Sequence, residues 1–321
     1  MEILVCPDDG YAMPTGIMLI SLFENNPHAA INLHVIYTAL SDENKGLLTR
    51  IAERYGHKIA FYHTVPDSSI KFDGLHQQKI SVSTYLRLSA HTVLPEEIDK
   101  VLYLDGDIIV RSCLQELWET EFLKNPRGGE EFPLAAVADQ KDHSGSTLSY
   151  NRLKIKPQYG YFNAGVLLLN LKYWRKHRVD ETFGRILARF PEGLAFHDQD
   201  ILNVAFNNNI RWLELTYNFM TEFFMKPAYR NISWEFDGQI DRYRNNPAIV
   251  HFLGIKPWFR ECSHPMLQEF LKYKAMSPWA GVRIPRLPMP RKTRIMGGIK
   301  KILAETGILQ KPLTDNDKWD V

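Results

Sequence analysis

Val101-Leu102-Tyr103-Leu104-Asp105-Gly106-Asp107-Ile108-Ile109-Val110 is the stretch on which the reading of this chain turns. An apolar run meets two carboxylates separated by one glycine, and a second apolar run follows. The first run predicts a buried strand over 100–104. Such a strand does not carry free carboxylates cheaply, because an ionised carboxylate in apolar surroundings needs a counter-charge or gives up its own. Alternate residues of a strand point to one face, so Asp105 and Asp107 are expected to converge. Oxygen ligands of this kind suit Mg²⁺ or Mn²⁺. The same triplet is common in solvated loops; the apolar flanks argue against that here.

Outward from this stretch, short apolar runs alternate with helical patterns. Strands are predicted over 3–6, 31–37 and 58–62, and helices over 11–25 and 84–94. Ser41 reads as an N-cap, with Asn44 three residues on and apolar Leu47, Leu48 and Ile51 behind it. Further along, 134–138 reads as a strand ending at Asp139, and 161–171 is a dense apolar run. His197-Asp198-Gln199-Asp200 opens a helix-like pattern over 196–206, and 248–252 is a late strand carrying His251. Alternating strands and helices predict an α/β fold with a mostly parallel sheet. Ligands of such sheets collect outside the carboxyl ends of the strands, where Asp8-Asp9 and Asp105/Asp107 both fall.

The 321 residues allow one large domain or two modest ones. A net charge of +2 makes no global case for nucleic acid. Cys6, Cys113 and Cys262 lack metal-ligand spacing and a secreted-scaffold pattern, which fits a reducing compartment. The stretch Met1-Glu2-Ile3-Leu4-Val5 runs into a strand without the features of a signal peptide, and no apolar run is long enough to span a bilayer. The expected location is cytoplasmic, or peripheral on the inner face of a membrane. The expected division is a catalytic domain over 1–265 and a helical, basic tail over 266–321. From Arg283 to Lys301 the tail holds seven basic residues, no acidic ones and three prolines. Residues 283–303 read either as a contact with an anionic membrane surface or as a solvated or packed tail.

Six local patterns occur in order: Cys6-Pro7-Asp8-Asp9-Gly10-Tyr11, Ser83-Thr84-Tyr85-Leu86-Arg87-Leu88, the Asp105-Gly106-Asp107 stretch, Tyr161-Phe162-Asn163-Ala164-Gly165-Val166, Asp198-Gln199-Asp200-Ile201-Leu202-Asn203 and His251-Phe252-Leu253-Gly254-Ile255-Lys256-Pro257-Trp258. The series resembles glycosyltransferase family 8, in particular its bacterial lipopolysaccharide and lipooligosaccharide galactosyl- and glucosyltransferases. It covers roughly four-fifths of the chain. The resemblance implies the GT-A (nucleotide-diphospho-sugar transferase) fold, a single Rossmann-like mixed sheet flanked by helices. It also implies a retaining transferase that moves a hexose from UDP-galactose or UDP-glucose to a saccharide acceptor.

The resemblance further implies roles. Asp105, Asp107 and His251 would hold the cation, and two carboxylates with one imidazole suit Mn²⁺ better than Mg²⁺. Lys256 would close over the diphosphate, with Gly254 allowing close backbone approach. Asp8 and Tyr11 belong to the uridine site, although Gly10 stands where some relatives carry Asn. Arg87, Gly106, Asp139, Asn163 and Asp198 match donor-site positions, and Gln199 would sit near the anomeric carbon. Asp200 is expected to hold the loop and cap the helix that follows. Lys79 stands where relatives carry an acceptor-site histidine. Segments 139–150 and 218–230 are candidate lids, with Tyr217, Phe219, Phe223, Phe224 and Tyr229 either stacking on a sugar or packing in the core.

Isolated from the series, His251 reads as a packed strand histidine, Lys256 as a loop lysine and Asp8-Asp9 as a helix cap. Two other functions are open to the residues. A haloacid-dehalogenase-type phosphatase also uses D-x-D after an apolar strand, but early in the chain and usually with Thr or Val where Ile109 stands. A non-catalytic nucleotide-sugar-binding module is the other, and the full set of expected metal ligands argues against it.

Overall fold

The computed structural model describes residues 1–65, 82–126, 130–139, 147–191, 193–227, 236–288 and 318–320. Its strands are β1 (Glu2–Val5), β2 (Asn32–Tyr37), β3 (Lys58–His63), β4 (Lys100–Leu104), β5 (Ile108–Val110), β6 (Leu134–Ala138), β7 (Phe162–Asn170), β8 (Arg211–Trp212), β9 (Phe219–Met220) and β10 (Ile249–His251). Seven of them form one mixed sheet in the order β3-β2-β1-β4-β7-β6-β8. β1 lies parallel to β2 and β4, while β7 runs antiparallel to β4 and β6. All nine residues of β7 are buried. An inner strand covered on both faces explains why its sequence is apolar without alternation.

The period of two is plain elsewhere. Ile3, Val5, Leu102 and Leu104 enter one hydrophobic cluster with helices Ala12–Asn25, Asp42–Arg54 and Leu267–Ala275. Leu4, Val101 and Tyr103 enter the other, on the opposite face, with helices Val179–Arg189 and His197–Phe206. The Asp42–Arg54 helix is capped as expected, with Ser41 Oγ accepting the Asn44 N–H at 3.3 Å. Over 84–94 the structure departs from the expected helix. Val82–Ser89 is a 3₁₀ segment and only Ala90–Val93 is α-helical. Arg87 Nε and Ser89 Oγ each donate to the carbonyl three residues back, at 3.1 and 2.7 Å, and so suit the tighter winding.

Besides the expected sheet there is a second one, three-stranded, in the order β5-β10-β9. This changes the account of the D-x-D stretch. Residues 101–110 are two strands in two sheets, with Asp105-Gly106-Asp107 as the turn between them. The carboxylates converge because of that turn, and not by alternation along one strand. A Cβ at Gly106 would come 2.4 Å from Thr15 Oγ1, so the turn presses against the first helix as only glycine permits.

Beyond residue 265, Phe270 and Tyr273 join the larger cluster, and the Trp279 ring lies where a Cβ at Gly16 would come within 2.4 Å of it. Trp319 joins the same cluster, Lys226 N–H donates to Lys318 O at 2.9 Å, and Asp320 N–H donates to Phe224 O at 2.8 Å. The chain therefore returns to the core at 318–320. Of the basic stretch 283–303, residues 289–303 lie outside the described residues. No helix among the described residues is long and apolar enough to cross a membrane.

Candidate active site

A cavity of about 960 Å³ opens where β1, β4 and β6 end, lined among others by Asp8, Tyr11, Asp105, Asp139, Asn163 and Gln199. Arg87, Gly106, Asp107, Asp198, His251 and Gly254 also line it. Lys79 lies outside the described residues, as do 140–146 and 228–230 of the candidate lids, Tyr229 among them.

Asp105, Asp107 and His251 each offer a ligand atom, and these atoms lie within 4.8 Å of one another. His251 Nε2 is 3.3 Å from Asp107 Oδ1 and 4.0 Å from Asp105 Oδ2. A Cβ at Gly165 would come 2.3 Å from His251 Cε1 and 2.9 Å from Asp105 Oδ2, so this cradle exists only because residue 165 has no side chain. Two carboxylates and an imidazole at this spacing fit a divalent cation.

The charges around the cluster are interlocked. Arg87 is buried; its Nη2 is 3.0 Å from Asp105 and its Nε 3.1 Å from Asp198, and its guanidinium stacks 4.1 Å from the Tyr103 ring centre. Tyr103 O–H donates to Asp105 at 2.5 Å. Burial pushes the Asp198 carboxyl up to about 7, with Arg87 pulling the other way. Burial also acts to raise Asp107, but Lys256 and His251 outweigh it and hold that carboxyl well below the usual range. Lys256 Nζ reaches Asp107 Oδ2 at 2.5 Å and Phe252 O at 2.7 Å. Gly254 has φ +82°, the left-handed region glycine favours.

On the far wall, Asp139 Oδ2 accepts from Asn163 Nδ2 at 2.9 Å and from Gln199 Nε2 at 3.2 Å. Gln199 Oε1 accepts the Ala164 N–H at 3.0 Å, so both ends of that amide are oriented. Asp200 is fully buried and accepts from Phe196 N–H, Tyr161 O–H and Arg152; it holds the loop, but from inside the helix His197–Phe206, whose N-cap is Phe196, and not as the cap ahead of it. Asp8 accepts the Tyr11 N–H at 3.0 Å, while Asp9 ties Ser41 and Asn44, so the two aspartates divide their work.

Phe219, Phe223 and Phe224 are fully buried, and Phe219 packs edge to face on each of the other two, which makes them core and not sugar platforms. Sequence reasoning missed Asn218, Gly165 in its steric role, and Phe196, an aromatic that lines the cavity while 40% exposed. His197 beside it has φ +50°, a strained value for a side-chain-bearing residue. Nothing in the sequence around Asn218 signals its contacts.

Fold and cluster together define a GT-A glycosyltransferase. The chain belongs to glycosyltransferase family 8, whose model, Glycosyl transferase family 8, matches residues 2–262. General stress protein A of Bacillus subtilis (strain 168) is 27% identical over 293 residues, 89% of this chain and 97% of that protein. A lipopolysaccharide 1,2-glucosyltransferase of Escherichia coli is 29% identical over 280 residues, 86% of this chain and 78% of that protein. The crystal structure of the galactosyltransferase LgtC in complex with donor and acceptor sugar analogues superposes with a TM-score of 0.74 at 26% identity, covering 92% of this chain and 99% of that one.

Proposed function

We propose that this family 8 enzyme transfers galactose or glucose from a UDP-sugar, with retention at the anomeric carbon, to a saccharide of lipopolysaccharide or another cell-surface glycan. The observation that carries the reading is the convergence of Asp105, Asp107 and His251 in a cavity that also presents the oriented Gln199 amide. Asp8 and Tyr11 would bind the nucleoside, and Arg87, Asp139, Asn163 and Asp198 would orient the donor sugar. Held by Asp105, Asp107 and His251, Mn²⁺ would supply Lewis acidity toward the departing diphosphate.

Retention follows from front-side attack. The acceptor oxygen bonds to the anomeric carbon on the face from which UDP departs. The bond to the UDP oxygen breaks, and a β-phosphate oxygen takes the acceptor proton. Gln199 is a poor nucleophile, but its carbonyl dipole stabilises the positive charge that develops on the sugar. The Lys256 ammonium stabilises the leaving phosphate.

Mn²⁺-dependent UDP release from UDP-galactose and UDP-glucose, with and without lipopolysaccharide-core saccharides, tests this reading, and the anomeric coupling of the product tests retention. Nucleotide binding without turnover would favour a non-catalytic module, and phosphate release from a simple monoester a phosphatase. A covalent sugar on Gln199 or Asp198 along the normal path would rule out front-side attack. Cytoplasmic location with peripheral attachment through 283–303 belongs to the same reading; loss of sedimentation with anionic vesicles after neutralising those basic residues is its check.

A further inference from the structure

We propose that Asn218 is a positioning residue: through Asn163 and Asp139 it keeps a proton on His251 Nδ1 and so leaves Nε2 as the only ring nitrogen that can become bare. Asn163 Nδ2 donates to Asp139 Oδ2 at 2.9 Å. A backbone N–H can only donate, and the Gly165 N–H lies 2.9 Å from Asn163 Oδ1. The Asn163 amide is thus oriented from both ends. Its Oδ1 is also 2.9 Å from Asn218 Nδ2, and two oxygens cannot bond to each other without a proton, so Asn218 presents its amino group there. The carbonyl oxygen of Asn218 is then the atom facing His251 Nδ1, at 2.9 Å. Nδ1 must donate to it.

The four side chains are buried, so water does not readily replace a lost partner. Turning the Asn218 amide over would set oxygen against oxygen at Asn163, whose Oδ1 is fixed by the Gly165 N–H. The relay therefore has one consistent assignment, with Nε2 facing Asp105 and Asp107. An imidazole in water prefers to keep its proton on Nε2, which is the wrong form for a metal ligand at that atom. The relay reverses this preference. It deepens the proposed function and depends on it only for the use made of Nε2.

The test is long-range proton–nitrogen NMR of His251 in the full chain, with no metal added and at a pH above the imidazole titration. Wild type is expected to show Nδ1–H with bare Nε2. Asn218→Leu, which removes the acceptor at similar volume, is expected to shift His251 toward Nε2–H. It should also weaken Mn²⁺ binding by about 10–100-fold in calorimetry. Asn218→Asp loses the donor to Asn163 Oδ1 but keeps an oxygen facing Nδ1, so Nδ1 should stay protonated, a rescue that a purely structural role does not produce. Backbone amide spectra confirm that each variant folds, and Asn218→Ala replaces the Leu variant if that one does not. A wild-type His251 in the Nε2–H form overturns the proposal. So does a Leu or Ala variant with unchanged tautomer and unchanged Mn²⁺ affinity. Wild type that is Nδ1–H yet binds no Mn²⁺ overturns the metal reading instead, and the tautomer of the variants still decides the relay.

Discussion

Replacing Gly165 by alanine adds one methyl group at the tightest point of the site. Its carbon would come 2.3 Å from His251 Cε1, 2.8 Å from Nδ1 and 2.9 Å from Asp105 Oδ2. Carbon atoms rest about 3.5 Å apart, so roughly 1.2 Å of overlap must be relieved. The imidazole cannot easily retreat, because Asn218 holds Nδ1 at 2.9 Å and β10 is paired on both sides. Asp105 is held by Tyr103 at 2.5 Å and Arg87 at 3.0 Å. Whichever side yields, the ligand atoms separate by about 1 Å, a misplacement that costs about 100-fold in turnover. Overpacking costs about 1–3 kcal/mol of stability, more than the ~0.4–1 kcal/mol gained from stiffening the unfolded chain. The assay is Mn²⁺ titration of UDP release, with calorimetric Mn²⁺ binding and urea unfolding alongside. Gly184→Ala is the control. It is exposed in the helix Val179–Arg189, a Cβ there meets nothing within 4 Å, and the helix should gain about 0.5–1 kcal/mol. Wild-type Mn²⁺ affinity and turnover in Gly165→Ala would refute the packing argument.

Three more outcomes are expected. Native Asp198 keeps its proton up to about 7, whereas an unfolded aspartate loses it near about 3.9. Between those values the native state binds more protons, so this group's contribution to stability falls as pH rises through the window. Asp198→Asn should flatten that part of the urea-midpoint profile, and parallel profiles would contradict it. Lys256→Met takes the ammonium partner away from the buried Asp107 carboxylate, so the melting temperature should fall. Added Mn²⁺ should then raise it more than in wild type, and equal gains in calorimetric scans would argue against this. Trp319→Ala should lose about 3 kcal/mol in chemical unfolding, because the ring is buried in the main cluster against His264 at 5.5 Å; an unchanged midpoint would mean that the C-terminal residues are not part of the core.

The sequence by itself determined the local chemistry and the alternation. Apolar runs ending in acids marked β1, β4 and β6, and the ends of those strands meet at the cavity, because a strand buried on both faces needs continuous apolar residues and its carboxyl end is where polar groups can face a ligand. Ser41 as a cap and Asp200 as a loop anchor were legible for the same reason: each acts on backbone within a few residues. The tertiary structure alone decided what depends on approach between distant segments. Asp105 and Asp107 were expected to converge by alternation along the strand, but the turn at Gly106 divides 101–110 between two sheets, and it is the helix at Thr15 that requires the glycine. Phe219, Phe223 and Phe224 could be platform or core until their neighbours were known. The tautomer of His251 hangs on Asn218, Asn163 and Asp139, which come from three separate parts of the chain. Hydrogen bonds and steric contacts act over about 3 Å in space, and a sequence records order along the chain, so it carries no local sign of partners that the fold brings together.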